Sequence, residues 1–233
     1  MFNRENSYSN TPAIVATTSF FPSVYGWMTA GLGLTALTAL LTLSSESMLQ
    51  LIFGNKLVFY GLMFGELGLV IALSAAINRI SAATATLMFL LYSALNGVTF
   101  ASIFLVYTQS SIASTFFVAA GTFAGMSIYG MATKRDLTGW GSFLFMGLIG
   151  VIIASLVNIF LQSAMITWVV SYIGVFVFVG LTAYDTQKLK RISQNGFADG
   201  ESRQKATILG ALTLYLDFIN LFLMLLRVMG SRR

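Results

Sequence analysis

The sequence predicts an all-α integral membrane protein with seven transmembrane helices, and three observations carry that prediction. Only 9% of its 233 residues are charged and 57% are hydrophobic, with a mean hydropathy of +0.82. A soluble domain carries about 25% charged residues, which it needs to face water. Two runs, 80–133 and 137–184, hold no charge at all. As single helices they would extend roughly 70–80 Å against a hydrocarbon core of about 30 Å, so each must fold back once. The apolar stretches are also continuous rather than alternating, which excludes a β-barrel.

The elements follow in chain order. Residues 1–21 form a polar tail rich in Ser, Thr and Asn, with Arg4 offset by Glu5. No short apolar segment with a small-residue cleavage site precedes the first span, 22–43, which is expected to act as its own uncleaved insertion signal. The second span, 57–77, lies between Lys56 and Arg79. The polar run Tyr107-Thr108-Gln109-Ser110-Ser111 turns the chain between spans 84–106 and 112–132, and Gln162-Ser163 turns it between 141–161 and 165–186. The last apolar run supplies the seventh span, 206–228. Gly196 and Gly200 mark the loop 194–202 as the one flexible soluble segment of any size, and 22–230 form a single transmembrane domain.

With seven spans, Arg4, Arg79, Lys134, Arg135, Lys188, Lys190, Arg191, Arg203 and Lys205 share one side, against Lys56, Arg227, Arg232 and Arg233 on the other. Basic loops stay cytoplasmic, which places the N-terminus inside and the C-terminus outside. The terminal arginines point the other way, toward six spans and a re-entrant last segment, but 206–228 is long enough to cross. The net charge of +5 therefore belongs to membrane-flanking loops and not to a nucleic-acid surface. Cys and His are absent, which removes disulfides, the usual zinc and haem sites, and Ser-His or Cys-His catalysis. Small residues at helix-packing spacing, Gly61 with Gly65, Gly121 with Gly125 and Gly147 with Gly150, read as close helix contacts within the chain or as a dimerisation motif.

The chemistry is expected at the carboxylates. A charged group in hydrocarbon costs about 2.5–3.5 kcal/mol even on lenient scales, so it persists only when paired, hydrated or functional. Asp217 falls near the middle of the seventh span, where Gly210, Thr213, Asp217, Asn220 and Met224 share one helical face as a narrow small and polar stripe. Asp185 follows Leu181-Thr182-Ala183-Tyr184 one turn before Lys188. Alone it reads as a solvated helix-end partner of that lysine. If spans six and seven are antiparallel neighbours, the two acids meet toward the cytoplasmic half. Arg79 is a positive-inside anchor or a counter-charge for the pair, and Glu66 reads as a packing or interfacial acid. Two carboxylates in a poorly hydrated site titrate in coupled steps and hold a shared proton or attract a cation. Ca²⁺ suits them, but two acids fall short of its 6–8 oxygen ligands, so binding at Asp185 and Asp217 is expected to be weak and proton-competed.

The segment 211–222, with Tyr215-Leu216-Asp217-Phe218-Ile219-Asn220 at its centre, resembles the signature of the Bax inhibitor-1 (transmembrane Bax inhibitor motif) family. Ala183-Tyr184-Asp185, Lys134-Arg135-Asp136-Leu137 and the stretch 93–100 around Gly97 support the resemblance, which runs from about residue 22 to the end and is nearest the bacterial YbhL/YccA-like branch. It implies six helices around a central seventh, a bacterial inner membrane, and an aspartate pair on helices six and seven that latches a calcium leak path in a pH-sensitive way. The motifs put that pair at Asp185 and Asp217, with Arg79 as its helix-two partner. The family is also associated with stress survival and with a membrane-bound AAA protease of the FtsH type.

Three functions compete: a pH-gated cation leak channel with no tightly bound cofactor, in which protonation relaxes the aspartate link; a non-transporting regulator of such a protease; and an intramembrane aspartyl protease. The last is disfavoured, because Tyr184-Asp185 is present but Leu214-Tyr215-Leu216-Asp217 stands where a Gly-x-Gly-Asp would be needed. A retinal protein is excluded, since none of the five lysines lies mid-span.

Overall fold

The computed structural model describes residues 11–233, with side-chain surroundings from residue 19 onward. The first ten residues of the polar tail lie outside the described residues. Eight helices follow one another: α1 (Thr11–Leu43), α2 (Glu46–Phe53), α3 (Lys56–Ala76), α4 (Ala82–Val106), α5 (Gln109–Ala132), α6 (Thr138–Leu161), α7 (Ala164–Gln194) and α8 (Gly200–Met229). Among the described residues, all but α2 are long and apolar enough to cross a membrane.

The turns explain where the helices start. At the start of α3, α4, α5, α7 and α8 a side-chain oxygen accepts from an N–H group of the first turn: Asn55 from Leu57, Ser81 from Thr84, Thr108 from Ser111, Ser163 from Ile166 and Asp199 from Ser202. Gln162 ends α6 in the left-handed region, at φ 49°. Two features depart from the sequence reading. The short helix α2, capped by Ser45, fills the link between the first two spans. The sixth and seventh spans also run beyond 165–186 and 206–228, so that α7 reaches Gln194 and α8 starts at Gly200. Gln187, Leu189 and Ser193 are buried in the extension of α7. Packing therefore continues past the apolar stretch, and the expected long loop shrinks to 195–199.

Helix α8 is the centre of the bundle. Its apolar stretch is 72% buried, against 11% for α3 and for α6. It packs directly on α1, α4, α5 and α7, while α3 packs on α4 and α6 on α7. The signature residues fix its rotation. Tyr215 is fully buried, its ring edge-on to Phe89 and Tyr92 at 5.9 and 5.8 Å, and its hydroxyl lies 2.6 Å from that of Thr35 on α1. Phe218 meets Phe116 and Phe123 of α5 at 5.4 and 5.6 Å. These rings hold one side of α8 against the bundle and turn Asp217 to another.

Glycine contacts fall elsewhere than expected. Around Gly61, Gly65, Gly121, Gly125 and Gly150 nothing lies within 4 Å of where a Cβ would stand, and Gly147 alone of the expected set touches a neighbour, Val177. The approaches to the backbone of another helix are at Gly97, against the Thr35 backbone of α1, and at Gly130, against the Ala183 backbone of α7.

Candidate functional site

Antiparallel packing of α7 on α8 brings Asp185 and Asp217 together. Their carboxyls lie close enough to interact, at the wall of a cavity of about 870 Å³ lined by α3, α4, α6, α7 and α8. Asp217 is 5% exposed, and among the described residues no N–H or hydroxyl group donates to its Oδ2. Asp185 is half-buried and sits within α7, more than two turns from its end, so the solvated helix-end role does not describe it. Lys188 lines the same cavity and acts on Asp185 through space. Thr213 and Asn220 of the polar stripe also face it, each tied by a hydrogen bond to its own helix, at 3.0 and 2.8 Å from the carbonyls of Leu209 and Leu216. Of the remaining stripe residues, Met224 lines the adjoining cavity and Gly210 packs against Leu189.

The structure does not bring Arg79 to this site. Arg79 is exposed in the turn after α3, forms no ion pair among the described residues, and is absent from the cavity wall. The residue that α3 does contribute is Glu66, three turns earlier. It is buried, bonded to the Thr99 hydroxyl and 3.5 Å from Asn96 Nδ2, which in turn reaches the Tyr92 hydroxyl at 3.1 Å. Tyr92 and Tyr184 complete the polar part of the wall. Glu66 was legible as the lone charge between Lys56 and Arg79, but only the α3–α4 packing shows that it faces inward. Among the described residues no three His, Cys, Asp or Glu side chains gather closely enough to hold a metal ion.

A second cavity, of about 620 Å³, adjoins the first through Met63, Leu148, Ile152, Phe178 and Asn220. A third, of about 390 Å³, adjoins the second through Asn158, Thr167 and Arg227 and reaches Arg232. The series follows α8 from Lys188 near one end of the bundle to Arg232 at the other.

The basic motif before α6 has a structural role. Arg191 pairs with Asp136 and donates to the Thr138 hydroxyl at 2.8 Å. Gln187 accepts from Leu137 N–H at 2.9 Å and donates to the Arg135 carbonyl at 2.8 Å, so the α5–α6 turn is bolted to α7. The Thr138 hydroxyl and N–H, with Arg191, hold the Asp136 carboxyl down to about 2. Asp199, capping α8, is likewise held below its ordinary value by Ser202.

The family described as inhibitor of apoptosis-promoting Bax1 matches the chain over residues 17–233. The chain is 56% identical over 216 residues to the inner membrane protein YbhL of Escherichia coli K12, with 92% of each chain covered. It is 48% identical to an uncharacterized protein of Borreliella burgdorferi, covering 94% of this chain and 95% of that one. It is 45% identical to the uncharacterized protein RP147 of Rickettsia prowazekii, covering 90% and 88%.

Proposed function

The chain belongs to the Bax inhibitor-1 family, and from that premise we propose that it is a pH-sensitive cation leak channel of the inner membrane, with calcium as the permeant ion and Asp185 and Asp217 as the gate. The observation that carries the reading is the meeting of two carboxyls at the wall of a cavity, where Asp217 Oδ2 has no N–H or hydroxyl donor among the described residues. Ionised carboxylates only accept hydrogen bonds, so a bond between them requires a proton held in common. Such a charge-assisted bond is roughly twice as strong as a neutral one. A second proton, added on acidification, replaces it with the weaker neutral bond and loosens α8 from α7. The adjoining cavities beside α8 supply the route that this movement would open, from Lys188 toward Arg227 and Arg232. The basic residues Lys188, Lys190 and Arg191 support a cytoplasmic location for that end, as basic loops stay on the cytoplasmic side.

The test is calcium entry into dye-loaded proteoliposomes from mildly alkaline to mildly acidic pH. Wild type should pass calcium faster as the pH falls. In Asp217→Asn the amide can donate to the Asp185 carboxylate without any proton, so flux should be low and indifferent to pH. Folded protein that passes no more ion than empty liposomes at any pH would overturn the channel and leave regulation of a membrane AAA protease as the reading to pursue.

A further inference from the structure

The same cavity has properties that a path for a small inorganic ion does not require. Its volume, about 870 Å³, lies in the range of sites for drug-sized molecules, roughly 300–1,000 Å³, whereas a water molecule takes about 30 Å³. Its wall is mostly hydrocarbon and aromatic ring, yet Glu66, Asp185 and Asp217 all open onto it, against a single cation, Lys188. The three acids are not gathered into an inner shell for a metal ion. This is a set of acids in apolar surroundings, with the aromatic residues Tyr92, Tyr184 and Phe178 in the same wall, the combination that favours an organic cation.

The cavity also has a side entrance. Helices α3 and α6 both line it, but α3 packs on α2 and α4 while α6 packs on α7, and no close packing joins α3 to α6. Leu67 of α3 and Phe145 of α6 belong to the cavity wall and are nevertheless 55% and 58% exposed, so they form the rim of a gap that faces lipid. A molecule dissolved in the bilayer reaches the acids through this gap without crossing the loops. At the far side waits Asp217, whose buried Oδ2 lacks an N–H or hydroxyl donor.

We propose that this cavity binds a protonated lipophilic amine, admitted sideways from the bilayer between α3 and α6, with its ammonium N–H donated to the Asp185–Asp217 pair and its apolar body against the cavity wall. The proposal concerns the same site as the channel reading but does not require conduction, and its test contains no calcium and no flux, so the two can fail separately.

The probe is 1-adamantylamine, compared with the uncharged 1-adamantanol, on the full chain in nanodiscs. Titration calorimetry should show the amine binding at least tenfold tighter than the alcohol, with the preference lost in Asp217→Asn and reduced in Glu66→Gln. A diazirine derivative of the amine, photolysed with wild-type protein, should label cavity-wall residues of α3, α6 and α8, and excess amine should prevent this. That arm needs no variant to fold. Equal affinity for amine and alcohol, or labelling confined to the outer surface of the bundle, would overturn the proposal.

Discussion

At Asp136 a single exposed carboxyl does structural work through three local donors. Its folded value of about 2 lies below the ordinary 3.8, so its contribution to stability is complete above the ordinary value and is lost as the pH falls through the range down to about 2. Asp136→Asn should therefore lower the melting temperature at neutral pH, and the gap from wild type should close on acidification. A gap that widens instead would contradict the assignment. Inside the bundle, Tyr215→Phe removes the bond to Thr35 while leaving the ring contacts to Phe89 and Tyr92. Thr35 keeps the carbonyls of Gly31 and Ser93 as acceptors, at 3.0 and 2.9 Å. The expected cost is about 0.6 kcal/mol, the mean for interhelical bonds in membranes, with about 1.7 as the upper bound. A double-mutant cycle with Thr35→Val measures it.

At the scale of the element, α8 differs from every other helix in having a protein partner on most of its circumference. The aromatic residues of its signature face the helices that hold it, and its carboxylate faces the cavity. Elsewhere two glycines face the backbone of a neighbouring helix, Gly97 between α4 and α1 and Gly130 between α5 and α7. At Gly97 a Cβ would stand 2.9 Å from the Thr35 carbonyl carbon and nearer still to its oxygen, so the α1–α4 contact has no room for a side chain. Gly97→Val should abolish the monodisperse, thermally stable species seen on fluorescence-detected size exclusion. Gly61→Val, whose Cβ meets nothing within 4 Å, should preserve it. Equal damage from both would mean that α3 also packs through its glycines.

At the scale of the whole molecule, the last three residues close the bundle. Arg233 N–H donates to the Val106 carbonyl at 3.0 Å, Thr108 N–H to the Ser231 carbonyl at 3.2 Å and Ser231 N–H to the Ser111 hydroxyl at 2.8 Å, while Arg232 lies 6.0 Å from the Tyr107 ring centroid. This clip ties the end of α8 to the α4–α5 turn. Deleting residues 231–233 should speed hydrogen exchange over the last turns of α8 and at 107–111, and leave the α7–α8 hairpin at 195–199 unchanged. The sequence by itself determined the class, the number of apolar crossings, their approximate limits and a carboxylate, Asp217, in the middle of the last one. Each of these follows from a local quantity, the length of uncharged chain or the rarity of a charge within it, set against the thickness and polarity of a bilayer. Only the tertiary structure decided that Glu66 and not Arg79 joins the aspartates at the cavity, that Gly97 and Gly130 rather than the spaced glycine pairs meet the backbone of another helix, and that α7 and α8 continue past their apolar stretches as a hairpin. The physical reason is that lipid and protein interior are both hydrocarbon. Apart from the polar stripe of α8, a helix between them is apolar on every side, so no stripe records which face is inward, and rotation and neighbours are set by packing among residues far apart in the chain.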